Sequence, residues 1–575
     1  MQAWIVLGSL AALLTVLARG TVKPATAFTT LAVAYVLTGV VNTEAMLGNY
    51  ANPALITLIL LLLVSLALER SHLLDGVSER LLTGSEGMAR LKLMGAGALF
   101  SAFLNNTAVV ASLLGAISKQ RRFAPSRLLI PLSYASILGG VTTLVGTSTN
   151  LVVSSFAVNA GLSPLGMFQF TLVGVPVALV TLLVVWWQAR SLPENSPEDR
   201  ESRLSYFLAA EVEINSPLVG KSIEDNGLRQ LEGLYLLEIE REGRLITPVG
   251  PDELLEGGDV LIFTGEVEKV QALQRFPGLT VFGNRVDSLL ATNLVEVVIA
   301  NESELANRTL QDVDFRAMFN AGVVGIRRGE RRLTGQLGRI PLRVGDCLLL
   351  ATGSDFTQQR NLDRNFHLLS GGFQRPKLST GESRLAIGGF LGVIAFSALG
   401  WLSLLHGLLL LLGILLVRKI LTADELRRRF PFELFLVIGS ALTLAEGLEQ
   451  SGAAALISGA MEWMFLDHGV MAAFVGIYLV TVLLTETVTN NAAAALAFPL
   501  GWSTAQAFGV DPMPFVMAVA YGASACFLVP YGYQTHLMVY TPGRYRMSDY
   551  LRTGWPVTLV YSAAVLLLTP LVFPF

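Results

Sequence analysis

Two polar clusters interrupt otherwise apolar sequence, and their residue types suit the holding of ions. Ser101-Ala102-Phe103-Leu104-Asn105-Asn106-Thr107 sits in the middle of the apolar stretch Leu91–Ile117. Thr485-Glu486-Thr487-Val488-Thr489-Asn490-Asn491 sits in the middle of Val470–Trp502. A hydroxyl, three residues and a polar triplet recur, so Ser101 registers with Thr485 and Asn105-Asn106-Thr107 with Thr489-Asn490-Asn491. Each cluster is followed by a stretch that Gly or Pro opens: Ser133 to Gly140, then Gly146-Thr147-Ser148-Thr149-Asn150, and Tyr521 to Ser524, then Pro530 to His536. Gly146 matches Gly532, and Thr149 matches Thr535. Amide oxygens, hydroxyls and the carbonyls freed at a helix break are hard ligands suited to Na⁺, while half-helix N-termini aim N–H groups at an anion. No Lys or Arg falls in these segments. The pattern predicts one cation site per half and an anion between them. Taken singly, any of these residues could instead glue helices together. Glu486 reads as a proton carrier or, preferably, as an acceptor for nearby backbone, and Glu433 and Glu446 read the same way. His536 stands where Asn150 predicts an Asn.

Such residues need a membrane scaffold, and the composition provides one. Of 575 residues, 52% are hydrophobic and 15% charged, and the net charge of -3 argues against a nucleic-acid partner. Two distant cysteines offer neither a disulfide framework nor a metal site. Apolar runs long enough to cross a bilayer fill residues 1–190 and 384–575. Leu385–Val417 is short for two helices and long for one. Basic residues mark the cytoplasmic side. Arg70, Arg80, Arg90 and Lys92 precede the first Asn-broken stretch, and Lys119, Arg121, Arg122 and Arg127 follow it, so that stretch enters and leaves from inside. The flanks of the second, Glu449–His468 and Ser503–Asp511, hold no Lys or Arg, so it enters from outside. Arg418, Lys419, Arg427–Arg429, Arg544, Arg546 and Arg552 fit the same model. The fold expected is an α-helical polytopic membrane protein of two inverted-topology repeats, each about five transmembrane helices plus one re-entrant hairpin, with both termini outside the cytoplasm.

Between the repeats, charge rises and apolar runs shrink to strand length. Glu256-Gly257-Gly258-Asp259 feeds Val260–Phe263, and Arg343-Val344-Gly345-Asp346 feeds Cys347–Leu350, each at the same distance from an opening motif. This repetition predicts inserted cytoplasmic tandem α+β domains, 204–283 and 284–370, bounded by the linkers Ser191–Arg203 and Gly371–Ser383. No Gly-x-Gly-x-x-Gly fingerprint is present there, and no organic cofactor is expected.

The paired hairpin motifs and Gly-Thr-x-x-Asn-type breaks resemble the divalent anion/sodium symporter family of the ion-transporter superfamily, and the insert resembles two RCK-C (TrkA-C-like) domains. The resemblance implies sodium held by Ser101, Asn105, Asn106 and Gly146 in one half and by Thr485, Asn490 and Gly532 in the other. It places the substrate between Asn105-Asn106-Thr107 and Thr489-Asn490-Asn491, with Ser148, Tyr533 and Gln534 beside it. It also implies an elevator mechanism in a homodimer of the cell inner membrane. Asn105, Asn491 and Tyr533-Gln534-Thr535-His536 depart from the family pattern, which favours a compact oxyanion. Inserts of this kind point to sulfate first, and the symporter family itself implies a dicarboxylate second. The insert would dimerise the protein or sense a small regulator. A proton-coupled or arsenite-type exporter and an ion channel gated by the insert are the other readings. An enzyme is not expected, since neither a His pair for metal nor a Gly-x-Ser-x-Gly elbow occurs.

Overall fold

The computed structural model describes residues 2–575 except 20–21, 72–80, 121, 196–206, 229–230, 232–233, 243, 247–248, 266–272, 274, 283–293, 301–302, 314, 330, 334–336, 353–355, 357–361, 370–377 and 466–467. Arg80, Arg121 and most of both linkers lie outside the described residues.

Helices α1 (Gln2–Arg19), α2 (Pro24–Leu37), α3 (Thr43–Tyr50), α4 (Pro53–Glu69), α5 (Glu86–Ser101), α6 (Asn106–Lys119), α7 (Ser126–Gly140), α8 (Ser148–Asn159) and α9 (Thr171–Gln188) precede the strands. After them come α10 (Thr380–Ala398), α11 (Leu404–Val417), α12 (Ala423–Arg429), α13 (Phe432–Gln450), α14 (Ala453–Phe465), α15 (Gly469–Thr487), α16 (Asn490–Phe508), α17 (Met513–Ala523), α18 (Gln534–Tyr540) and α19 (Met547–Val572). Among the described residues, four helical stretches are long and apolar enough to cross a membrane: Thr43–Glu69, Thr171–Ser191, Gly469–Thr487 and Met547–Val572. The pair α12 and α13, bent by 59°, passes the same test when taken together. The chain is a multi-pass membrane protein.

Leu385–Val417 resolves into two helices, because Gly400 at φ 73 breaks the run between Ala398 and Leu404. The flank Glu449–His468, which lacks Lys and Arg, folds for most of its length into α14, whose Ala453-Ala454-Ala455-Leu456 start favours helix. Gly452 and Gly469, at φ 75 and 77, bracket it. The contacts pair elements of the two halves crosswise. α2 packs on α13 and α4 on α11, while α5 lies on α7 and α15 on α17. Gly139 sets the closeness of α5 to α7, since a Cβ there would collide with the Ala98 carbonyl.

The middle of the chain forms two antiparallel sheets. Strands β1 (Phe207–Val212), β2 (Leu234–Arg241), β3 (Arg244–Ile246), β4 (Val260–Gly265) and β5 (Leu279–Phe282) are ordered β3-β2-β4-β1-β5. Strands β6 (Leu294–Ile299), β7 (Ala321–Arg328), β8 (Arg331–Leu333), β9 (Cys347–Thr352) and β10 (Phe366–Leu368) are ordered β10-β6-β9-β7-β8, the same arrangement read from the other edge. Each Gly-Asp turn has a physical use. Asp259 is 1% exposed and accepts from Glu256 N (2.8 Å) and from Arg241 on β2 (2.8 and 2.9 Å). Asp346 does the same with Arg343 N (2.8 Å) and Arg328 on β7 (2.7 Å). Each carboxylate thus closes its turn and raises the pKa of its arginine.

Candidate anion and cation site

Four breaks position the polar clusters. The chain turns between α5 and α6 at Asn105, whose Oδ1 accepts from Thr107 N at 2.9 Å. It turns between α15 and α16 at Thr489, whose Oγ1 accepts from Ala492 N at 3.4 Å. The other two breaks separate α7 from α8 and α17 from α18. The four helices that restart, α6, α8, α16 and α18, begin at Asn106, Ser148, Asn490 and Gln534, all on one cavity of about 150 Å³. Every residue assigned from sequence to the substrate lines it: Asn105, Asn106, Thr107, Ser148, Thr489, Asn490, Asn491, Tyr533 and Gln534. Gly146 and Gly532 line it too. No charged side chain is among the lining residues described. Thr147 caps α8 without a side-chain hydrogen bond to its first turn.

Hydrogen bonds tie the four breaks together across the halves. Asn106 Nδ2 donates to the Tyr533 hydroxyl at 2.6 Å, and Thr107 Oγ1 donates to Gln534 Oε1 at 3.1 Å. Ser148 Oγ donates to Asn491 Oδ1 at 3.1 Å. Under the register that matches Thr107 with Asn491 and Ser148 with Gln534, the last two bonds are the same bond.

Behind the cavity lie two oxygen clusters. In the first, Ser101 and Asn106 are 0% and 3% exposed, and Ser101 Oγ and Asn106 Oδ1 have no hydrogen-bond partner. A Cβ at Gly140 would lie 2.7 Å from Asn106 Oδ1 and 3.1 Å from Gly146 O, and one at Gly146 would lie 2.9 Å from Ser101 O. These oxygens therefore converge. Buried oxygens cost free energy when unpartnered, so this set fits a hard monovalent cation. Asn105, at the turn beside this set, caps the helix that follows. Its Oδ1 and its carbonyl both accept from α6's own N–H groups, at Thr107 and Val109. The second cluster holds Thr485, whose Oγ1 donates to Ala523 O at 2.6 Å and lies 3.3 Å from Asn490 Oδ1. A Cβ at Gly532 would sit 3.3 Å from Thr485 O, and Ser524 Oγ nearby in sequence is buried without a partner. Among the described residues, no three His, Cys, Asp or Glu side chains group as metal ligands.

Glu486 acts on the second break. Its carboxylate accepts from Phe527 N and Leu528 N at 2.9 Å, from Val529 N at 3.2 Å and from the Cys526 thiol at 3.5 Å. It is the acceptor that the unwound segment between α17 and α18 requires. His536, fully buried, has Nε2 2.8 Å from Cys526 O and Nδ1 2.8 Å from Ser133 Oγ. Asn150 serves the first break likewise, donating to Thr143 O at 2.8 Å. Glu446 accepts from Asn49 at 3.0 Å, away from the cavity. Glu433 lies in the first turn of α13, outside the cavity lining.

Sequence reasoning missed one wall. Leu58, Leu61, Leu62 and Ser65 of α4 line the cavity; nothing marks the three leucines within a largely apolar helix, and the Ser65 hydroxyl is the one available signal. It also missed a contact with the insert. Gly329 N donates to Thr541 Oγ1 at 3.2 Å, and the Thr541 hydroxyl lies 2.5 Å from Gly345 O. Val298, Cys347 and Leu369 of the second sheet region join the apolar core of the membrane helices.

A family model described as citrate transporter matches residues 11–522. The chain belongs to the citrate transporter family. The resemblance to divalent anion/sodium symporters lies within the same superfamily of ion transporters. A putative sulfur deprivation response regulator of Chlamydomonas reinhardtii is 29% identical over 91% of this chain and 94% of its own length. An uncharacterized transporter of Synechocystis is 28% identical over 94% of this chain and 92% of its own. Sodium/sulfate cotransporter 1 of Chlamydomonas reinhardtii is 29% identical over 61% of this chain and 41% of its own. This family consists of transporters, not enzymes.

Proposed function

We propose that this protein is a sodium-coupled symporter of a small divalent anion, sulfate first and a dicarboxylate second. The observation that carries the reading is the convergence of four restarting helices on one uncharged cavity backed by unpartnered buried oxygens. With no cation among the described lining residues, an anion there is balanced by helix N-termini and by the ions bound behind it. Ser101, Asn106, Gly140 and Gly146 hold one sodium; Thr485, Asn490 and Gly532 hold the other. The anion lies between Asn106-Thr107 and Asn490-Asn491, flanked by Ser148, Tyr533 and Gln534. The crosswise packing of the halves and their exchanged hydrogen bonds support two inverted repeats with re-entrant hairpins. On this reading the protein is an elevator homodimer of the inner membrane. Residues 204–283 and 284–370 are cytoplasmic RCK-C-like domains that regulate it. The relative named a sodium/sulfate cotransporter favours sulfate.

The test is uptake of labelled sulfate, succinate and citrate into proteoliposomes with and without an inward sodium gradient. Sodium-driven accumulation of sulfate is the expected result. Accumulation driven by a proton gradient alone overturns the sodium assignment.

A further inference from the structure

The two halves end corresponding helices differently. At the end of α2, Gly39 takes φ 72, with Gly39 N bonded to Val36 O and Val40 N to Tyr35 O. At the end of α11 the same two bonds recur, from Lys419 N to Leu416 O and from Ile420 N to Leu415 O, but the left-handed residue is Lys419 at φ 55. A β-carbon is disfavoured there, and glycine is the residue that suits the conformation. A lysine held in it against local preference points to a use for its charge.

The surroundings say which use. Arg418 and Lys419 are exposed on the turn from α11 to α12, and Arg427 and Arg428 are exposed in the last turn of the short helix α12 that follows. Among the described residues, Arg418, Lys419 and Arg428 have no acidic partner within ion-pair distance, and Arg427 reaches Asp424 only at 3.9 Å. Leading into this turn, α11 exposes Leu410, Ile414 and Val417, at 62%, 40% and 83%, spaced to share one helix face. Phe432, 61% exposed, follows at the start of α13. An apolar stripe that ends in a cluster of cations matches a phospholipid, with its acyl chains along the stripe and its phosphate at the turn. The α2 end has exposed Leu37 (81%) but no cation beside Gly39, so the feature belongs to one half alone.

We propose that the α11–α12 turn, centred on Lys419, is a binding site for the anionic headgroup of a membrane phospholipid. The inference goes beyond transport, and uptake is not its readout.

The experiment compares nanodiscs of phosphatidylcholine with nanodiscs of equal parts phosphatidylcholine and phosphatidylglycerol. Thermal unfolding and native mass spectrometry are read for the full chain, for Lys419→Gly and for the triple variant K419G/R427Q/R428Q. The wild type is expected to unfold several degrees higher with phosphatidylglycerol and to retain that lipid on release. Lys419→Gly alone should fold at least as well as wild type in phosphatidylcholine, because glycine suits the φ, yet retain less phosphatidylglycerol. The triple variant should lose the gain. Retention by Lys419→Gly equal to wild type overturns the site even if the triple variant fails to fold. The same stabilisation by inorganic phosphate in pure phosphatidylcholine overturns the lipid assignment.

Discussion

Thr107, in the first turn of α6, donates its hydroxyl hydrogen bond to Gln534 at the start of α18, 427 residues away. Its counterpart, Ser148 to Asn491, runs from the start of α8 to the start of α16. Each helix start is therefore braced by one from the other end of the chain, and neither end builds the cavity alone. Removing one member loosens a shared frame, which makes single substitutions informative.

Asn106→Ala and Asn490→Ala should each lower uptake at least tenfold while leaving expression and membrane insertion intact. Asn106→Ala removes an unpartnered cavity-side oxygen and the bond to Tyr533 together. Tyr533→Phe removes only the hydroxyl, so about 1 kcal/mol, a several-fold rise in the substrate concentration for half-maximal uptake, is expected. Wild-type uptake in either Asn variant would remove these residues from the site.

Glu486→Gln replaces an acceptor of three backbone N–H groups with an amide that has one acceptor oxygen. Leaving buried N–H groups unpaired costs about 1–3 kcal/mol. The variant should melt several degrees lower and need more sodium for half-maximal uptake. Glu486→Asp should not rescue it, being one methylene short of the same donors. Unchanged melting and sodium dependence would show that the carboxylate does not hold the break.

Thr541→Val removes the hydroxyl between Gly329 N and Gly345 O. Amide exchange in β7 and β9 should speed up while substrate binding survives. No change in exchange there would mean that the hydroxyl adds nothing to docking of the second sheet.

Burial, together with the neighbouring Glu296 carboxylate, pushes the Cys347 thiol well above the usual range. A raised pKa means less thiolate at any given pH, so maleimide labelling at neutral pH should be slow in the folded protein and fast after unfolding. Rapid labelling of the native protein, mapped by peptide to Cys347 and not to Cys526, would show that the second sheet leaves the membrane body frequently.

Much of the site was legible because polar residues at membrane depth have few reasons to be there. The Asn pairs, Gly146 and Gly532 announced the breaks, and the Gly-Asp turns announced β4 and β9. What stayed hidden lacked contrast. Leu58, Leu61 and Leu62 are three leucines in an apolar helix, and only tertiary packing turns them toward a cavity. α14 hid because the absence of Lys and Arg, useful for orientation, carries no information about helix or loop. Asn105 carries two signals at once: its side chain suits ligation and helix capping equally, and the bond from Thr107 N shows the cap.

One short helix joins two parts of the molecule that the sequence keeps far apart. α18 is about 10 Å long at the usual rise per residue. Gln534 at its start faces the cavity, and Thr541 just past its end is gripped by the second sheet. A ligand of the insert that tightened or loosened this grip by about 1.4 kcal/mol in one orientation of α18 would change the balance of orientations tenfold. Linkage makes the effect mutual, so anion occupancy would alter the insert's affinity for its own ligand by the same factor. Measured that way, binding of such a ligand at the insert would be a second reading of the state of the cavity.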